Sequence, residues 1–129
     1  MPESINAHEP PLNQGQREAI FDFLLLGMYA DSVLKRVESA RLYSLISSVG
    51  WESYQTPNEY ANLATARVRD ASENSGKTGV FLANLNDRLA TPEARQFAMV
   101  LFLRLIESDK EINAEEDQLY TAAKAAFGV

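Results

Sequence analysis

The stretch Asp109-Lys110-Glu111-Ile112-Asn113-Ala114-Glu115-Glu116 separates an apolar run, residues 97–106, from an amphipathic run, residues 119–127. A charged break between two runs of helical spacing reads as the corner of a helix–turn–helix. The corner has an earlier counterpart, Asp31-Ser32-Val33-Leu34-Lys35-Arg36-Val37-Glu38. Asp31 and Asp109 stand 78 residues apart, and so do Glu38 and Glu116. The same offset pairs Arg17 with Arg95, Phe21 with Met99, Leu25 with Leu103, Met28 with Ile106, Leu34 with Ile112 and Gly50 with Gly128. No gap is needed between residues 17–50 and residues 95–128, so the two segments read as one helical hairpin present twice.

Each copy runs as an apolar helix, an Asp, a short turn with one aliphatic plug, a Glu seven residues after the Asp, and a helix ending at Gly. The pattern is carried by Ala30-Asp31, Leu34 and Glu38, and again by Ser108-Asp109-Lys110-Glu111-Ile112 and Glu115-Glu116. It resembles the TerB-like family, named for tellurite-resistance proteins, whose domain also stands at the front of some membrane-associated J-domain co-chaperones. The resemblance covers nearly the whole chain from about Leu12. The family usually places Gly after each Asp, where this chain has Ser32 and Lys110. Membership would imply an all-helical domain, an acidic site proposed to bind metal, and a part in a stress-related assembly. It would imply no particular reaction.

At 129 residues the chain suits one domain with a core of its own. Apolar residues are 46% and charged residues 23%, ordinary globular usage that argues against bulk disorder. A net charge of −6 argues against binding a phosphate backbone, which needs a positive surface. The absence of cysteine excludes disulfides and thiolate metal sites, and fits a reducing compartment. The first residues, Met1-Pro2-Glu3-Ser4-Ile5, lack a basic region followed by an apolar stretch. No apolar run reaches the roughly 20 residues of a spanning helix. The expectation is a cytoplasmic protein with a protein partner, no nucleic acid and no membrane span.

Residues 1–11, with three prolines and no periodicity, are expected to form a flexible arm, and residues 12–129 the helical domain. His8, the only histidine, reads as a solvated tail residue. The first helix should open at Asn13, with Gln16 completing a capping box, and run to about residue 30. Its apolar residues leave little polar face, so it should be buried on most sides, with Asp22 at the edge of the buried surface. The second helix should span about residues 35–49 and stop at Gly50. Thr56-Pro57-Asn58-Glu59 predicts a capped start for the third helix, ending near residue 70. Residues 71–79, polar and glycine-bearing, read as the longest inner loop, followed by a short fourth helix over residues 80–89. Ser75-Gly76-Lys77-Thr78 looks like the tail of a phosphate-binding loop, but Ala71 occupies the place of that motif's first glycine. Thr91-Pro92-Glu93 opens the fifth helix, and the sixth begins at Asn113 and stops at Gly128. The predicted class is all-α: about six helices, two pseudo-symmetric hairpins and a central helical pair.

Asp31 and Asp109 lie just past the C-terminal ends of helices, where a negative charge opposes the helix dipole at a cost of about 0.3–1 kcal/mol. The repetition of this placement calls for a compensating interaction. Either the carboxylates accept backbone N–H groups in the turns, the reading preferred here, or a cation sits beside them. Glu116 is explained by an Asn113 capping box; Glu38 is not, because Lys35 occupies the cap position. If the two corners converge, Asp31, Glu38, Asp109 and Glu116, with Glu111 and Glu115 nearby, would form a hard-oxygen site suited to Ca²⁺ or Mg²⁺. Neither an EF-hand nor a di-iron pattern fits the spacing.

No nucleophile–base pair stands out. The leading expectation is therefore a non-enzymatic, TerB-like interaction or sensing module. The alternatives are a hydrolase built on a carboxylate-bound metal and a purely structural module that docks a partner helix.

Overall fold

Asn13 opens the first helix by the box the sequence predicts: its Oδ1 accepts the Gln16 N–H at 2.8 Å, and Gln16 Oε1 accepts the Asn13 N–H at 2.9 Å. The computed structural model of the chain describes residues 10–29, 36–48, 50–51, 53–106 and 114–129, with the side chains of all but 36–39 and 115. Among these residues there are six helices and no strand: α1 (Gln14–Tyr29), α2 (Arg36–Ser48), α3 (Pro57–Ala71), α4 (Ser75–Leu89), α5 (Pro92–Ile106) and α6 (Ala114–Phe127). None is long and apolar enough to cross a membrane. Of the expected arm, residues 1–9 lie outside the described residues, while Leu12 already packs against the core.

α1 is the centre of the molecule. It packs against α2, α3, α4 and α5, and every residue from Ala19 to Met28 is buried. Burying each large apolar side chain contributes about 1.5–3 kcal/mol, far more than the tenths that separate helix propensities, so tertiary contact sets this helix. One flank of α1 meets an aromatic group: the Phe21 ring lies 6.0 Å from Tyr43, 5.7 Å from Trp51 and 5.4 Å from Tyr60. On another flank Phe23 stacks on Phe102 of α5 at 4.7 Å and meets Phe127 of α6 edge-on at 5.2 Å. One turn on, Gly27 lets the Phe102 ring approach so closely that an added Cβ would stand 2.6 Å from Phe102 Cε1. The first and fifth helices are thus buried against each other, and the glycine is how the close approach is achieved.

α5 begins 78 residues after α1, and α6 begins 78 residues after α2. Gly50 and Gly128, the same distance apart, both adopt positive φ, +77° and +68°, a conformation that favours glycine. At the second of these, the Gly128 N–H bonds the Lys124 carbonyl at 2.9 Å and the Val129 N–H bonds the same oxygen at 3.2 Å.

α3 starts as predicted. Thr56 Oγ1 accepts the Glu59 N–H at 3.1 Å, and Glu59 Oε1 accepts the Thr56 N–H at 2.9 Å. The segment after it departs from expectation. Residues 72–74 alone connect α3 to α4, and Ser75-Gly76-Lys77-Thr78-Gly79 is helical from its first residue. Asn74 makes the difference, because its Oδ1 accepts the Lys77 N–H at 2.9 Å as an N-cap. Thr78 Oγ1 also donates to the Ala71 carbonyl at 2.7 Å, tying the new helix to the end of the old one. Two glycines cost a helix about 2 kcal/mol together, which the cap and these side-chain bonds offset.

The end of α4 is held from both sides. Gln16 Nε2 donates to the Leu89 carbonyl at 2.7 Å, so one side chain closes the first turn of α1 and the last turn of α4. Arg95 Nε and Nη2 donate to the Asn86 carbonyl at 3.2 and 3.0 Å, placing positive charge where the helix dipole favours it. Between α4 and α5, the Thr91 N–H bonds the Leu89 carbonyl at 2.8 Å, which puts Ala90 at the centre of a γ-turn with φ +74°.

Candidate functional site

Of the six carboxylates proposed from sequence, Asp31, Asp109 and Glu111 lie outside the described residues. Glu38 and Glu115 fall in the first turns of α2 and α6, with their side chains outside the description. Glu116 is described. It is the third residue of α6, as Glu38 is of α2, and it is 0% exposed. Among the described residues no group of three or more His, Cys, Asp or Glu side chains could hold a metal ion. The convergence of the two corners is thus a matter for residues beyond those described.

The described residues contain a different polar centre, one that sequence reasoning misplaced. Asp22 is not at the edge of the buried surface; it is 0% exposed, in the middle of α1. A buried carboxylate survives only when paired and hydrogen-bonded. Arg88 Nη1 donates to its Oδ2 at 2.7 Å. Arg67 donates from Nε to Oδ2 at 3.2 Å, and from Nη2 to Oδ1 and Oδ2 at 3.2 and 3.1 Å. The Tyr60 hydroxyl donates to Oδ1 at 2.8 Å and accepts from Arg67 Nη2. α3 supplies Tyr60 and Arg67 from one face, seven residues apart, and α4 supplies Arg88. Burial, then the Asp22 charge and the hydrogen bond to it, push the Tyr60 phenol up to about 12. The phenol is therefore a fixed donor at neutral pH.

The signal for this centre was present in outline: an aspartate inside an otherwise apolar helix needs a cation, and arginine is the residue suited to buried pairing. What no local pattern supplies is which arginine, because the partners lie 38, 45 and 66 residues away along the chain.

Outside this centre a cleft of about 500 Å³ runs between α3 and α4. Arg67 and Arg88 line its inner part, and Ala71, Val80 and Phe81 give it an apolar wall. Lys77 stands among the lining residues, bonded to Asp70 at 2.9 Å and Glu73 at 2.8 Å. A smaller cleft of about 270 Å³ lies where the α3–α4 connection meets α6, with Leu26 and Leu119 beneath Thr78 and Gln118.

Comparison of the chain with family models, with curated proteins and with solved structures found no match.

Proposed function

We propose that the chain is a non-enzymatic, TerB-like interaction or sensing module of a stress-response, tellurite-resistance-like assembly, with its acidic corners as the elements that meet a partner or a cation. The observation that carries this reading is the repeated spacing. α1 and α2 recur as α5 and α6 at one offset, and each second helix has a glutamate as its third residue. A hairpin present twice with the same acid at the same place is what the resemblance to that family rests on. The chemistry of the described polar centre is in keeping with a non-catalytic role. Asp22 is engaged by two guanidiniums and a phenol, and that phenol stays protonated far above neutral pH, so the group is arranged to hold structure and not to move protons.

The test uses Asp31→Asn combined with Asp109→Asn, measured in chelator and then in excess Ca²⁺, Mg²⁺ or Mn²⁺. Asn makes most of the turn bonds that Asp makes. If the aspartates shape turns, parent and variant agree within about 1 kcal/mol in both conditions. If they hold a cation, the parent alone gains stability, by about 2.7 kcal/mol at free metal 100 times Kd. Carboxylates that shape turns are the expected result. A metal-dependent gain in the parent that the double variant lacks would move the reading from partner docking to cation sensing.

A further inference from the structure

The described lining of the cleft between α3 and α4 includes none of the acidic-corner residues and carries its own chemistry. Asp22 is one negative charge set against two guanidiniums, which meet on its Oδ2 at 3.1 Å from Arg67 and 2.7 Å from Arg88. These three groups alone sum to one positive charge. The guanidinium donors are partly open: among the described residues Arg67 Nη1 makes no hydrogen bond, while Arg88 bonds Asp22 through Nη1 and also lies against the Tyr60 hydroxyl. The Arg67 and Arg88 side chains are 45% and 29% exposed, while Asp22 behind them is closed off. Lys77 with Asp70 and Glu73, of which Asp70 also lines the cleft, adds one positive and two negative charges, so these six groups together are neutral and the two guanidiniums are set apart by position and not by net charge. The apolar wall is Val80, 74% exposed, beside the half-buried Phe81 and the buried Ala71. A volume of about 500 Å³ is in the range of small-molecule sites, which combine apolar walls with a few convergent polar groups.

We propose that this cleft binds a small monocarboxylate with an apolar body, its carboxylate bridging Arg67 and Arg88 and its body lying on Val80 and Phe81. The planar carboxylate matches the guanidinium fork. A phosphate dianion is tetrahedral and would bring twice the negative charge to a chain whose net charge is already −6. Asp22 keeps its own bonds throughout, so binding requires no rearrangement of the core.

The experiment is an amide-resolved NMR titration at low salt with octanoate, octanol and inorganic phosphate as probes. It is run on the parent, on Arg88→Gln and on Val80→Glu. Octanoate is expected to shift amides of α3 and α4 around Arg67, Val80 and Arg88, with phosphate and octanol at least tenfold weaker. Both variants are expected to bind octanoate at least tenfold more weakly. Val80 is exposed, so Val80→Glu keeps the fold and remains informative where Arg88→Gln loses it. Octanol binding as tightly as octanoate, phosphate binding as tightly, or undiminished octanoate binding by Val80→Glu would each overturn the proposal. The double variant at Asp31 and Asp109 is expected to bind octanoate like the parent, which keeps this site distinct from the corners.

Discussion

Asp22 and Tyr60 show what one buried charge demands of its neighbours. The phenol donates to the carboxylate, so Tyr60→Phe leaves Oδ1 with Arg67 alone. A hydrogen bond to a charged group contributes about 1.5–3 kcal/mol, and the variant should lose an amount of that order in urea unfolding at neutral pH. The pH dependence follows from the raised phenol. Its folded value, about 12, lies above the ordinary 10.0, so the stability it contributes is complete below pH 10 and is lost as pH rises from 10 through 12. Parent and Tyr60→Phe should therefore converge on alkaline titration; curves that stay parallel would show that folding does not raise this phenol. Gly27 makes the opposite kind of demand. Gly→Ala inside a helix ordinarily gains about 0.5–1 kcal/mol. Here the new methyl meets the Phe102 ring at 2.6 Å, so Gly27→Ala should cost about 1–3 kcal/mol by overpacking. A rise in Tm would show that the ring yields freely. Neither residue discloses its role locally. The partners of Asp22 come from α3 and α4, and the ring that Gly27 admits comes from α5.

The helices themselves were far more legible, and the reason is that caps are local. Asn13 with Gln16 and Thr56 with Glu59 are readable because each box closes within three residues. The start of α4 was misread by the same logic applied to the wrong signal. Gly76 and Gly79 suggest a loop, whereas Asn74 caps a helix that contains them both. The acidic corners were legible as a spacing, and their geometry falls on residues outside those described. The α4–α5 connection adds a prediction at this scale. Ala90 sits at φ +74° with its neighbours closing a γ-turn, a conformation costing an L-residue roughly 1–2 kcal/mol that glycine adopts freely. Part of the gain is returned as unfolded-chain entropy, so Ala90→Gly should stabilise the protein by about 0.5–1 kcal/mol, read as a higher urea midpoint at unchanged slope. A destabilised variant would mean that the connection, and not the alanine, sets this backbone.

At the scale of the whole molecule, the surrounding of α1 by α2, α3, α4 and α5 has a consequence for amide hydrogen exchange. Local opening releases a helix only where few neighbours hold it. α3 can lift from α1 while α4 remains, but α1 cannot leave without emptying the core and stripping Asp22 of both arginines at once. The amides from Ala19 to Met28 should therefore exchange through one event, with a common free energy equal to that of global unfolding and a common dependence on denaturant. The outer turns of α3 and α6 should exchange earlier, through smaller openings. A graded set of exchange free energies along α1 would mean that the helix frays from one end inside an otherwise folded protein. A single value would make it the last element to give way and, on refolding, the surface on which the other five settle.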